Sequence, residues 1–285
     1  MFINSISASK SDIIDQCLWK YNLRYNLKIP GFGSKNEDAL SFGSFIHKIF
    51  ELGFQESDLK TLSKLAEQER STYKVQFQMN EKIKSCIEHF ISWNSKLGET
   101  VATETAFELP LDKEHDINFK GVIDRIVKGA KGGYLVVDYK TSKREKTKKE
   151  LLEDKQLMGY AYAINQLYGT EYKDIWCGHF YPVTGHFITV QFSKFQITQW
   201  KKKEIDKVWR IRKKTANDFP AHQNMFCGNC EYQKVCEHFC SKEEVEKNLE
   251  EQIKLRDQLK AEKEAKEASN SVAKQDESNK NSITS

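Results

Sequence analysis

The chain has 285 residues, 39% of them hydrophobic and 30% charged, enough for a sizeable core under a very polar surface. No stretch reaches the roughly 20 apolar residues that cross a bilayer, and the start, MFINSISASKSDIIDQC, lacks the basic end and apolar run of a signal peptide. A cytoplasmic protein with no membrane partner is expected (in a host's cytoplasm if phage-encoded), and there seven cysteines speak for metal or redox chemistry rather than disulfides.

In chain order, the spacing predicts a helix from Ser9 to Tyr21, capped by Ser9 or Ser11, with Ile13, Ile14, Cys17 and Leu18 on one side. A second helix is expected over Ala39 to Leu52, and a longer helical stretch over Leu59 to Ser95. Strand-like runs follow: TETAFEL from Thr103, then Ile117 to Ile126, then Tyr134 to Tyr139, with Gly132 and Gly133 as the turn. Next come a helix around Leu151 to Leu167, two strand-like runs around Pro182 and Gly185, and a basic helix from Trp200 to Lys214. This succession predicts an α/β domain over residues 1–240, its central mixed sheet flanked by helices. Residues 241–285 are set apart as a charged helical tail with a disordered end. The tail holds nine basic and eleven acidic residues, which leaves +6 on the rest of a chain whose net charge is +4. Val245, Leu249, Ile253, Leu255 and Leu259 share one side of that helix, open to docking, although the charge pattern favours a solvated tail.

Two strands carry chemistry: GVIDRIV with Asp124, and YLVVDYKTSK with Asp138 and Lys140. A charge that ends an apolar strand is costly unless it serves a site. Asp138 and Lys140 are two apart, so on a strand they point to one face. With Asp124 on a neighbouring strand, two carboxylates converge with one ammonium, a set that can hold Mg²⁺ or Mn²⁺ and polarise a phosphodiester. A plain strand-end salt bridge is the competing reading. Upstream, His47 and Glu51 lie four apart on a helix, which makes His47 a candidate nitrogen ligand. Downstream, Gln156 and Tyr160 have the same spacing and can reach over such a site.

The ordered series His47, Asp124, Asp138-Tyr139-Lys140, Gln156 and Tyr160 closely resembles the RecB-like branch of the PD-(D/E)XK nucleases, over about residues 40–165. The resemblance implies a restriction-endonuclease-like core. It makes His47, Asp124, Asp138 and the Tyr139 carbonyl metal ligands, with Lys140 the catalytic lysine, and Gln156 and Tyr160 shaping the active site. Asp138 stands where many relatives have Glu.

The run FCGNCEYQKVC places Cys227, Cys230 and Cys236 at C-x2-C-x5-C spacing, a density that signals metal. Spacing alone leaves zinc open, with either Cys240 or His238 as the fourth ligand. The resemblance points to a 4Fe–4S cluster instead. AddB-type subunits and CRISPR-associated adaptation nucleases carry one on a Cys before the nuclease motifs and such a run after them, and Cys17 holds the first position. The cluster would join the N- and C-terminal helices. Cys86 and Cys177 are expected to be buried packing residues.

Lys201, Lys202, Lys203, Lys207, Arg210, Arg212, Lys213 and Lys214 are expected to face mostly outward around a stripe of Ile205, Val208 and Trp209, a face suited to phosphates. Lys143 opens a second basic run directly after the D-Y-K strand. The expected activity is metal-dependent DNA cleavage, exonucleolytic or end-processing, on single-stranded DNA or free ends, in recombination, repair or phage DNA metabolism. A non-catalytic DNA-binding or scaffolding subunit of the same fold is the alternative; the presence of Asp124, Asp138 and Lys140 together favours the enzyme. The sequence contains no G-x-x-x-x-G-K-[ST] P-loop, so any unwinding falls to a helicase or recombination partner.

Overall fold

A computed structural model describes residues 3–33, 37–129, 132–215 and 218–283, without the side chains of 37 and 266–283. The elements run β1 (Ser5–Ile6), α1 (Ala8–Gln16), α2 (Leu18–Tyr21), α3 (Glu37–Leu52), α4 (Leu59–Glu69), α5 (Asn80–Asn94), β2 (Thr100–Asp112), β3 (Ile117–Lys128) and β4 (Tyr134–Tyr139). They continue as α6 (Lys148–Leu151), α7 (Lys155–Tyr168), β5 (Ile175–Tyr181), β6 (His186–Val190), α8 (Lys194–Arg212) and α9 (Lys242–Ile283). The chain divides into two compact units, Met1–Asp12 with Asn36–Thr215, and Ile13–Lys35 with Ala216–Ser285. The boundary drawn at residue 240 from the sequence falls inside the second unit.

The first unit is built on a six-stranded sheet in the order β1-β3-β4-β5-β6, with β2 also paired to β3. β2–β3, β3–β4 and β5–β6 are antiparallel, whereas β1–β3 and β4–β5 are parallel, so the sheet is mixed as expected. Alternation along β4 decides what each face receives. Leu135, Val137 and Tyr139 point into a core filled by α3, α4 and α5, where Phe50 stacks on Phe90 at 4.0 Å and Trp93 on Phe180 at 4.1 Å. The other face carries α7 and α8, with Trp200 edge-on to Phe119 at 4.9 Å. Cys86 and Cys177 are fully buried, as expected.

Three helices differ from the sequence reading. The helix expected from Ser9 to Tyr21 breaks at Cys17, whose backbone is extended (φ −161, ψ 116) and whose sulfur caps α2 by accepting from Lys20 N. The long helix expected from Leu59 to Ser95 is two helices, because Lys74 takes a left-handed backbone (φ 53) and the Arg70 guanidinium binds the carbonyls of Val75 and Gln76 and the Asn80 side chain. The basic helix begins at Lys194 rather than Trp200, since Ser193 and Gln196 form a reciprocal capping box.

The second unit has its own small core of Leu23, Ile29, Tyr232 and Val235, on which Trp19, Leu27, Phe32, Leu249 and Ile253 pack. Trp19 Nε1 donates to Val235 O at 2.8 Å, and Arg256 Nη1 to Leu27 O at 2.9 Å. The start of α9 is thus docked rather than a solvated tail. The helix runs on to Ile283, past the point near Ser269 where disorder is expected, over a stretch without Gly or Pro; residues 284–285 lie outside the described residues.

Candidate active site and cysteine recess

Antiparallel pairing of β3 with β4 matches Arg125 to Val137, and one further step sets Asp124 against Asp138 where the strands separate. Both carboxylates are buried, 8% and 1% exposed, which is tolerable only because each has partners. Asp124 Oδ2 accepts from Tyr139 N at 2.7 Å. Asp138 Oδ2 lies 2.7 Å from Lys140 Nζ, without a hydrogen bond of good geometry to any group. Lys140 Nζ donates to Gln156 Oε1 at 2.9 Å, Gln156 Nε2 to Tyr160 Oη at 2.7 Å, and Tyr160 Oη to Val122 O at 2.5 Å. The five residues form one connected line across the mouth of the separated strands. Its α7 members are placed by Asp154, which caps the helix through Gln156 N and Leu157 N. They are also placed by Gly159, where a Cβ would run into the Phe119 ring.

His47 enters from α3. Its Nε2 donates to Tyr139 O at 2.8 Å, which leaves the Nδ1 lone pair facing Asp124 Oδ2 at 3.4 Å. Burial depresses the His47 pKa, which favours the neutral ring and leaves Nδ1 free to join the Asp124 carboxylate in binding a cation. Glu104, which the sequence reading passes over, completes the set: one ligand atom from each of His47, Glu104 and Asp124 lies within 4.8 Å of the others. Glu104 sits opposite Asp124 in the β2–β3 register, with a left-handed backbone (φ 44) inside a strand, a conformation that strains a non-glycine residue. The signal available in the sequence is a glutamate inside TETAFEL, one strand before Asp124. Glu51 also lines the cleft and pairs with Lys48 at 3.0 Å.

Electrostatics agree with a cation site. Burial first, then the Asp138 carboxylate, pushes the Asp124 carboxyl well above its ordinary range. Burial and then Glu51 raise Glu104. Burial works to depress the Lys140 ammonium, but Asp138, Asp124 and Asp154 outweigh it and hold it above the ordinary lysine value. All these groups line a cleft of about 1040 Å³. The donor set of carboxylate oxygens and one imidazole fits Mg²⁺ or Mn²⁺.

The basic helix needs correction. Lys207 is buried, donating to Ser11 Oγ at 2.7 Å and Glu204 Oε1 at 3.1 Å. Arg212 spends its guanidinium on the carbonyls of Ile3, His115 and Asp116, and half-buried Lys201 lies 4.7 Å over the Tyr162 ring. Helical periodicity brings these three onto polar or aromatic partners that the local sequence does not reveal. Lys202, Lys203, Arg210 and Lys213 are exposed, and so is Lys143.

In the second unit, Cys17, Cys227, Cys230 and Cys236 line one recess. Each sulfur meets a backbone N–H: from Lys20 to Cys17 at 3.5 Å, Asn224 to Cys227 at 3.3 Å, Tyr232 to Cys230, and His238 to Cys236. Burial first pushes the Cys230 and Cys236 thiols up, and the neighbouring sulfurs add to it. Four sulfurs gathered with N–H donors suit thiolates held by a metal group. Cys240 is turned elsewhere, its Sγ donating to Gln233 O at 3.6 Å, and the His238 ring nitrogen lies 3.5 Å from Ala221 O.

A mixed sheet flanked by helices, with acidic groups and a lysine where its strands part, is the restriction-endonuclease-like core. A model of the PD-(D/E)XK nuclease superfamily matches residues 5–237, and the chain belongs to that superfamily. It is 32% identical over 155 residues to one of the subunits of an ATP-dependent helicase/deoxyribonuclease from Streptococcus equi subsp. zooepidemicus strain H70, and equally to its counterpart from strain MGCS10565. Those matches cover 49% of this chain and span 14% of the length of the relatives. The crystal structure of SSO0001 aligns over 85% of this chain and 89% of that one, at 14% identity and a TM-score of 0.40. Among the described residues, no helix is long and apolar enough to cross a membrane.

Proposed function

We propose that this nuclease is a divalent-metal-dependent deoxyribonuclease, exonucleolytic or end-processing, acting in the cytoplasm on single-stranded DNA or free ends. The observation that carries this is the unbroken line Asp138, Lys140, Gln156, Tyr160 beside Asp124 and His47 in one cleft. The resemblance would have His47, Asp124, Asp138 and the Tyr139 carbonyl hold Mg²⁺ or Mn²⁺; among the described residues, the donors that lie within 4.8 Å of one another are His47, Glu104 and Asp124. When bound, the cation polarises the scissile phosphate and lowers the pKa of the attacking water. Lys140, kept protonated by three carboxylates, orients that water and meets charge developing on the phosphate. Gln156 fixes the ammonium, and Tyr160 fixes Gln156. Lys143, Lys202, Lys203 and Arg210 are exposed for phosphate contact, whereas Lys201 and Arg212 are half-buried against partners within the fold.

The four-thiol recess would hold a 4Fe–4S cluster on Cys17, Cys227, Cys230 and Cys236, and zinc is the alternative occupant. A bound cluster ties the segment around Cys17 to the segment after Ala216. The partial likeness to part of a helicase/deoxyribonuclease supports work beside a helicase partner, and the proposed setting is recombination, repair or phage DNA metabolism.

The test is cleavage of end-labelled single- and double-stranded DNA. Cleavage should require Mg²⁺ or Mn²⁺, stop with EDTA, and fall by orders of magnitude in Lys140→Ala while DNA binding persists. Equal activity in Lys140→Ala would falsify the assignment.

A further inference from the structure

Behind the cleft residues stands a buried histidine, His179, outside the series of motif residues described above. His179, on β5 beside Asp138 in the parallel register, is 0% exposed. Its Nε2 lies 3.5 Å from Asp138 Oδ2 and 3.8 Å from Asp154 Oδ2, and makes no aligned hydrogen bond to either. Its Nδ1 lies 3.3 Å from Tyr181 Oη, which in turn accepts from Lys146 N at 2.9 Å. Lys146 Nζ closes the loop on Asp154 Oδ2 at 2.6 Å. One imidazole therefore stands between the carboxylate paired with Lys140 and the carboxylate that caps α7.

We infer that His179 is a positioning residue, coupling Asp138 to the α7 N-terminus so that Gln156 meets Lys140; this rests on the nuclease reading above. Asp138 Oδ2 and Asp154 Oδ2 are each paired with a lysine, Lys140 at 2.7 Å and Lys146 at 2.6 Å, and His179 Nε2 is the group that lies near both oxygens. Asp154 cannot retreat without releasing the N–H groups of Gln156 and Leu157. If it moves, Gln156 moves off the Lys140 ammonium, and Lys140 turns from the cleft. His179 is fully buried and does not line the cleft, so its effect belongs on the rate rather than on DNA affinity. Partners that orient metal and catalytic groups in this way change function by about 10–100-fold when removed.

The experiment pairs His179→Phe, which keeps the ring volume without nitrogens, with His179→Gln, which keeps a donor near the Nε2 position. Expected in His179→Phe are a kcat lower by about 10–100-fold, a KM for DNA within about twofold of the parent, and a folded protein by circular dichroism. His179→Gln should recover most of the rate. A folded His179→Phe with parental kcat, or equal losses in the two variants, overturns the proposal. Hydrogen exchange at the Gln156 and Leu157 amides decides it without any activity: faster exchange in His179→Phe than in His179→Gln supports the coupling, and unchanged protection refutes it. If the parent protein cleaves no DNA, the nuclease reading fails, and this exchange measurement still judges the coupling.

Discussion

Asp124 shows the tension between stability and chemistry at a single residue. Its carboxyl is pushed up by burial and by Asp138, so the ionised form is worse off folded than unfolded. A carboxyl raised in this way contributes stability at acid pH that is lost as pH rises from its unfolded toward its folded value. At neutral pH and without metal, Asp124→Asn should therefore raise the thermal midpoint by a few degrees, since about 1 kcal/mol moves it by about 2–4 °C in a chain of this size. The amide oxygen can still accept from Tyr139 N, so the local hydrogen bond survives. The same variant should lose cleavage and the midpoint gain on adding Mn²⁺. Thermal melts with and without Mn²⁺ check this; a lower midpoint in the metal-free variant would mean the charge holds the fold together rather than straining it.

At the scale of elements, the decisive contact is α7 against β3. Asp154 starts the helix, Gly159 lets it approach, and one turn presents Gln156 and Tyr160 to the cleft. Glycine inside a helix costs about 1 kcal/mol relative to alanine, so Gly159→Ala would stabilise a free helix. Here the added methyl meets the Phe119 ring. Overpacking of that kind costs about 1–3 kcal/mol. Gly159→Ala should lower stability in denaturant titrations and reduce cleavage together, and Phe119→Leu in the same chain should restore part of both. A stabilised Gly159→Ala protein with full activity would show that the helix has room to shift.

Across the whole molecule, the cysteine recess asks most of the chain, because Cys17 and Cys227 are more than two hundred residues apart and meet only in the folded unit. If the recess holds the proposed 4Fe–4S cluster, protein prepared without oxygen should be brown and contain iron and sulfide. Cys17→Ser should lose iron and much stability, and Cys240→Ser should lose neither, since its sulfur lies outside the recess on the Gln233 carbonyl. Metal analysis decides between readings: colourless protein with one zinc, or full iron in Cys17→Ser, removes the cluster and leaves the nuclease core untouched.

Local, periodic features of the fold are legible in the amino-acid order alone. The D-x-K spacing brings Asp138, on β4, and Lys140, just past its end, to one side, the four-residue spacing of Gln156 and Tyr160 aligns them on α7, and apolar runs mark β3 and β4. Likeness to a known motif added Cys17, which no local rule would single out, and gave His47, marked by its helical spacing, its role as a ligand. The partners of charges, by contrast, are set by how distant segments meet in the folded chain. Glu104 became a candidate ligand because the β2–β3 register sets it across from Asp124, and His179 came between Asp138 and Asp154 because β5 lies parallel to β4. Lys207 and Arg212 left the outward face because distant segments supplied Ser11 and three backbone carbonyls. The physical reason is common to all of these. Side-chain period follows from backbone geometry a few residues long, but the partner of a buried charge is set by pairing between segments far apart in the chain.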